Sequence, residues 1–222
     1  MALCLAAVAG YVDGYALRSM GTFVSFMSGN TTIAGVQTGA GQFRAALPAA
    51  VAILSFFAGS FAGNWIAHGK SRFSHNLLFG TAAALLAITI VLRPLGLLNT
   101  EVWISLLSIA MGTLNPTLSR VGAENVNLTF VTGALNKAGN HLALAARKVA
   151  LADARGVWDS QLRRAGIETS IWASFLCGAI LSGIMRRLAG LELLPALIVL
   201  VFFALFSSTG AERLTNAQPQ RG

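Results

Sequence analysis

The sequence predicts an all-α integral membrane protein of about six transmembrane helices. They form two three-helix repeats of opposite orientation, and the first helix of each repeat is broken at a Ser/Thr-Gly motif. Three observations predict this. Apolar residues make up 55% of the 222 residues and charged ones 11%, with a mean hydropathy of +0.67. A soluble domain carries about 25% charged residues. Six apolar runs recur along the chain, and two segments rich in Gly, Ser, Thr and Asn interrupt them at matching places in the two halves.

The first run goes from the N-terminus to about Tyr15 and the second from Ala46 to Ile66. The third covers Asn76 to Leu92, the fourth Val102 to Leu118, the fifth Thr169 to Ile184 and the sixth Leu191 to Phe206. Crossing the hydrocarbon core takes about 20 residues of helix, with a range of about 17–25. Several runs sit at the lower limit, so helices that extend into polar flanks are expected. Residues 1–208 read as one polytopic domain, with repeat one at about 1–97 and repeat two at about 98–208. Residues 209–222 read as a disordered polar tail. The charged stretch Leu151 to Gly166 reads as an amphipathic surface helix or a solvated loop.

The interrupting segments are Arg18 to Gln42 and Arg120 to Leu151. One unbroken helix from Ala2 to Gln42 would be about 60 Å long, twice the core thickness. The chain therefore breaks or turns back between about Arg18 and Gly29. Backbone freed at such a break is satisfied by protein or water, not lipid. Phe26-Met27-Ser28-Gly29 lies over Phe130-Val131-Thr132-Gly133, and Val24-Ser25 over Leu128-Thr129. Three spans per half is an odd number, so the second half enters from the opposite face. Inverted repeats of this kind put a binding site at the midplane, where the broken helices meet.

With six crossings and a cytoplasmic N-terminus, nine basic residues fall inside: Lys70, Arg72, Arg147, Lys148, Arg155, Arg163, Arg164, Arg213 and Arg221. Four fall outside: Arg44, Arg93, Arg186 and Arg187. That asymmetry places both termini in the cytoplasm. If each break is a full hairpin, there are eight crossings and the repeat is parallel. Trp65, Trp103 and Trp172 stand near run ends, as interfacial aromatics do.

Asp13 is a carboxylate inside the first run. A charge there costs at least about 2.5–3.5 kcal/mol, so it needs a partner, a proton or a water-filled cavity. Lys137 follows Gly133 at helical spacing and His141 follows Lys137, so the three share a face. Lys137 is the expected partner of Asp13, and the pair is expected to couple or gate. Ser28 and Thr132 read as N-caps of the resumed helices, whose free N–H groups favour anions. The expected binding residues are Tyr11, Asp13, Ser28, Gly29, Asn30, Thr31, Thr129, Thr132, Gly133 and Asn136. Ordinary capping without a ligand is the plainer alternative.

Other classes find little support. The net charge of +8 is spread between apolar runs and forms no basic patch with interleaved aromatics, so no nucleic-acid partner is expected. Cys4 and Cys177 make neither a disulfide framework nor a metal site. Phosphate-loop, hydrolase-elbow, zinc-protease and CxxC motifs are absent, so the chain is not expected to be an enzyme or to carry a cofactor. A basic n-region is missing before the first run, so no signal peptide is expected. Asn30-Thr31-Thr32 and Asn127-Leu128-Thr129 match the glycosylation sequon but fall within the membrane segments. Asn115-Pro116 reads as a kink or stop.

Ala9-Gly10-Tyr11-Val12-Asp13, Phe23 to Thr31 with its Ser28-Gly29-Asn30-Thr31 end, and Thr129-Phe130-Val131-Thr132-Gly133-Ala134-Leu135 resemble the YoaK-like bacterial membrane proteins, domain of unknown function 1275. The resemblance covers most of the chain and implies a six-helix protein of the bacterial inner membrane, with no substrate attached. Thr is usual in that pattern where this chain has Ser28, and a Gln-Asn pair where it has Leu114-Asn115. The first departure keeps the hydroxyl; the second removes an amide. The functional expectation is a small secondary transporter or channel for a small polar or anionic solute. A membrane scaffold or assembly partner is the alternative. Expected partners are the lipid bilayer, the solute and further copies of the chain in a homo-oligomer.

Overall fold

The computed structural model describes residues 1–69, 73–118, 131–151, 153–154, 156, 158–187 and 191–206. Its helices are α1 (Ala2–Met20), α2 (Met27–Gly39), α3 (Phe43–Ala67), α4 (Ser74–Leu92), α5 (Thr100–Leu114), α6 (Val131–Ala146), α7 (Gln161–Ile184) and α8 (Leu194–Phe206). Short 3-10 turns at Asn115–Leu118 and Met185–Arg187 continue α5 and α7. The six apolar runs fall on α1, α3, α4, α5, α7 and α8, and the two polar interruptions hold α2 and α6. By length and composition, Phe43–Ala67, Ser74–Leu92 and Gln161–Arg187 are long and apolar enough to cross a membrane, and Leu194–Phe206 is apolar but shorter. The 209–222 tail lies outside the described residues.

Two boundaries differ from the sequence reading. α7 starts at Gln161, well before Thr169, because its first turns bury polar side chains rather than apolar ones, Gln161 and Glu168 against α6 and Arg164 against Asp159 of the preceding loop. The first break is at residues 21–26, ahead of Ser28-Gly29. Gly21 ends α1 in the left-handed conformation (φ 68°) and returns its N–H to the Leu17 carbonyl. The N-cap of α2 is Phe26, without a side-chain cap bond, so Ser28 is a first-turn residue of α2 and not its cap. The second break, with Phe130, Thr129 and Arg120, lies outside the described residues.

Two helix pairs tie the halves together. α1 runs alongside α7 in the same direction. Ala6 packs on Ile171, Gly10 faces Phe175, Gly14 faces Ala179, and Arg18 Nη1 donates to the Ser182 carbonyl at 3.2 Å. α3 runs alongside α5 likewise, with Gly59 at Ile109 and Gly63 at Thr113. The backbones touch. A Cβ on Gly10 would stand 2.0 Å from the Phe175 carbonyl oxygen, and one on Gly178 would stand 1.9 Å from that of Ala7. On Gly59 it would meet the Ile109 carbonyl oxygen at 2.3 Å, and on Gly112 that of Phe56 at 2.3 Å. Small residues permit such approach, which is how helices associate where burial from water gives no drive. The two seams use the same pattern: Ser55-Phe56-x-x-Gly59 on α3 corresponds to Ser174-Phe175-x-x-Gly178 on α7, and Ile109-x-x-Gly112 on α5 to Ala7-x-x-Gly10 on α1.

The remaining helices complete the packing. α2 lies on α3, α6 on α7, and α4 against both α5 and α8. Asn76 near the start of α4 donates to the Ala204 carbonyl at the end of α8 (2.6 Å), and Phe79 stacks on Phe203. The C-terminal end of α1, the C-terminal end of α4 and the N-terminal end of α5 meet. There Tyr15 stands edge-on to Trp103 at 5.7 Å, and the Arg93 guanidinium lies 3.9 Å from the Trp103 ring centre. The main core includes Leu5, Val12, Phe79, Leu86, Leu107 and Met111.

Candidate functional site

The break after α1 is held by two buried polar side chains. Asp13, 2% exposed, accepts the N–H groups of Val24 (2.8 Å) and Ser25 (2.7 Å) on Oδ1 and the Ser25 hydroxyl (2.6 Å) on Oδ2. The chain that leaves α1 at Gly21 thus returns to the level of Asp13. Asn30, fully buried, reaches back from α2: its Oδ1 accepts from Thr22 Oγ1 (2.9 Å) and Phe23 N (3.1 Å), and its Nδ2 donates to the Phe23 carbonyl (2.7 Å). Backbone that leaves a helix inside a membrane needs such partners. Gly29 leaves room for the rings of Phe26 and Phe23, which stand edge to face at 5.2 Å.

This break and the start of α6 border one cavity of about 290 Å³. Its wall includes Asp13, Phe23, Phe26, Val131, Thr132 and Phe175, with Gly10 and Gly14 of α1 behind them. Elements from both halves therefore share one space beside the α1–α7 contact. The wall is mainly apolar and aromatic, and its polar residues are Asp13 and Thr132.

The other expected residues are placed differently. The Tyr11 hydroxyl donates to the Glu192 carbonyl, and its ring lines a separate apolar cavity of about 270 Å³ with Cys4 and Cys177. Ser28 and Thr31 are exposed on α2, where the Thr31 hydroxyl donates to the Met27 carbonyl (2.9 Å). Gly133 is buried in α6 and Asn136 is exposed. Thr129 lies outside the described residues. The expected Asp13–Lys137 pair does not form. Lys137 Nζ sits 3.5 Å from Glu168 Oε1, because α6 packs on α7 and turns that face towards it, while Asp13 is engaged by the break.

The sequence reading missed Glu168, 2% exposed on α7, because its partner is on another helix. The available signal was a carboxylate immediately before the fifth apolar run. His141 is buried, and its Nδ1 donates to Gln161 Oε1 (2.6 Å), while Gln161 Nε2 donates to the Val149 carbonyl (3.3 Å). Arg164 engages Asp159 (2.8 Å) and Asp153 (3.0 Å). Among the described residues, no cluster of three or more metal-ligating side chains is present.

Residues 1–207 match the family model described as Protein of unknown function (DUF1275). The chain is similar to the UPF0700 transmembrane protein RA0705 of Rhizobium meliloti (strain 1021), with 31% identity over 187 residues, covering 82% of this chain and 73% of that relative. No solved structure matches. The break motifs, the helical membrane segments and a family match over nearly the whole chain agree, and the chain belongs to the DUF1275 family of membrane proteins.

Proposed function

We propose that the protein is a small secondary transporter or channel of the bacterial inner membrane, moving a small polar solute through the space between the first break and the start of α6. The observation that carries this reading is the cavity bordered by the first break and the start of α6. Broken helices that converge from two related halves are where transporters bind their solutes. An inverted repeat is supported by the matching α1–α7 and α3–α5 seams. Six crossings are supported by the meeting of Tyr15, Arg93 and Trp103, since eight would put the end of α1 and the start of α5 on opposite faces. The Lys/Arg asymmetry supports cytoplasmic termini.

The wall favours a neutral or cationic solute over an anionic one. Asp13 brings negative charge beside the cavity although its oxygens, like the Asn30 amide, are engaged by the break, and aromatic rings attract cations. A scaffold is the second reading, favoured by the same fact that Asp13 and Asn30 satisfy the break without a ligand.

A thermal-unfolding screen of purified protein against small amines, amino acids, sugars and anions tests this, because a ligand of the native state raises its apparent stability. The expected result is a rise in Tm with a neutral or cationic solute, uptake of that solute by proteoliposomes, and loss of both in Thr132→Trp, which fills the cavity. Folded wild-type protein with no shift and no uptake across the panel overturns transport and leaves the scaffold.

A further inference from the structure

We propose that Glu168 is a proton-binding site, and that Lys137 is the cation its carboxylate holds when unprotonated. The inference rests on the transport reading, for which it names the coupling ion. Glu168 is 2% exposed and faces α6, where the Lys137 ammonium lies 3.5 Å from it. Polar side chains continue along this seam in one direction. Arg164, one turn nearer the start of α7, comes next with Asp159 and the exposed Asp153, and then Gln161 with His141. In the other direction α6 leads from Lys137 back to Thr132 at the central cavity. A file of polar groups thus runs from the loop between α6 and α7 towards the place where the halves meet.

The fold does not require these charges. The sister seam joins α2 to α3. In the correspondence given by Ser28-Gly29 with Thr132-Gly133, Ile33 and Gln37 stand where α6 has Lys137 and His141. In that of Ser55 with Ser174, Ala45 and Ala49 stand where α7 has Arg164 and Glu168. The same packing is made there without an ion pair. Glu168 is the buried member of the pair and Lys137 is partly exposed. Burying a carboxylate is costly even beside a cation, and ionisable groups inside a membrane protein mark proton and ion pathways.

Among the described residues, the titratable and charged groups on this seam are Lys137 and His141 from α6 and Arg164 from α7 itself; α1, on the other flank of α7, brings Ala6 and Gly10. The step is a single proton transfer. A proton from water at the α6–α7 loop adds to a carboxylate oxygen of Glu168, giving the neutral acid. The ion pair opens, and Lys137 keeps its charge and turns towards the cavity. Loss of the proton restores the pair.

Infrared difference spectroscopy of the full-length protein in liposomes tests this. On acidification, wild type is expected to gain a protonated-carboxyl band that shifts in heavy water. Glu168→Gln loses that band and Asp13→Asn keeps it. Glu168→Asp, which retains a carboxyl group should Gln disturb folding, moves the band in frequency. A band unchanged in both Glu168 variants, or no band in folded wild type, overturns the proposal. The readout needs no transported solute, so this failure leaves the transport reading standing. A failed solute screen with an intact Glu168 band would overturn transport alone.

Discussion

Asp13 and Ser25 hold each other at two points: the Ser25 N–H donates to Oδ1 at 2.7 Å and its hydroxyl to Oδ2 at 2.6 Å. With the Val24 N–H, this carboxylate closes the first break. Asp13→Ala is expected to leave buried donors unpaired, at about 1–3 kcal/mol for each group. Asp13→Asn keeps an acceptor for the two N–H groups, and the Ser25 hydroxyl can rotate to accept, so its cost is smaller. Thermal unfolding in detergent ranks the two variants. Equal loss in both would show that the charge matters and not the acceptor geometry.

Glycine at the helix crossings has a different role from glycine on open faces. Gly178→Val drives a side chain into the Ala7 backbone and is expected to cost more than the ~1–3 kcal/mol of ordinary overpacking. Gly139, within α6, has nothing near its missing Cβ. Gly139→Ala is expected to stabilise by about 0.5–1 kcal/mol. Folded yield and Tm separate the pair.

The start of α7 is fixed to the loop before it by Arg164, whose side chain is 6% exposed beside Asp159 at 12% and Asp153 at 66%. Arg164→Gln is expected to loosen that loop. Trypsin should then cut faster at Arg147 and Lys148, and in the orientation proposed above it should do so in inside-out vesicles only. Cutting in right-side-out vesicles would reverse the orientation.

Arg93 lies over Trp103 and beside Tyr15. Arg93→Met retains the aliphatic contact and removes the cation, so a loss of about 0.5–2 kcal/mol is expected. Arg93→Lys should recover part of it. The readout is unfolding followed by Trp fluorescence, compared with a Trp103→Phe background to assign the signal.

The apolar runs were legible because lipid-facing helices announce themselves by composition alone. The first break was legible for a similar reason: one helix from Ala2 to Gln42 is too long for a bilayer. Its position was not, since α2 starts where Asp13, on the preceding helix, receives Val24 and Ser25, and local capping rules pointed to Ser28 instead. α7 started earlier than expected because Arg164 and Glu168 are buried against protein rather than exposed to water. The Lys137 partner was hidden for lack of any cue to which helix α6 packs on. The likeness of Phe56/Gly59 to Phe175/Gly178, which supports the proposed repeat, stands out only once α1 is seen on α7 and α3 on α5.

The crossing of Gly10 and Gly178 also sets an order of assembly. α1 is made before α7, whose residues 161–184 carry the surface that covers its glycine. Until then α1 is without its mate. The partners of Asp13 are only 11 and 12 residues downstream, so the nascent segment can satisfy its carboxylate with hydrogen bonds early by folding back on itself. The late contact then joins two halves that neither could complete alone.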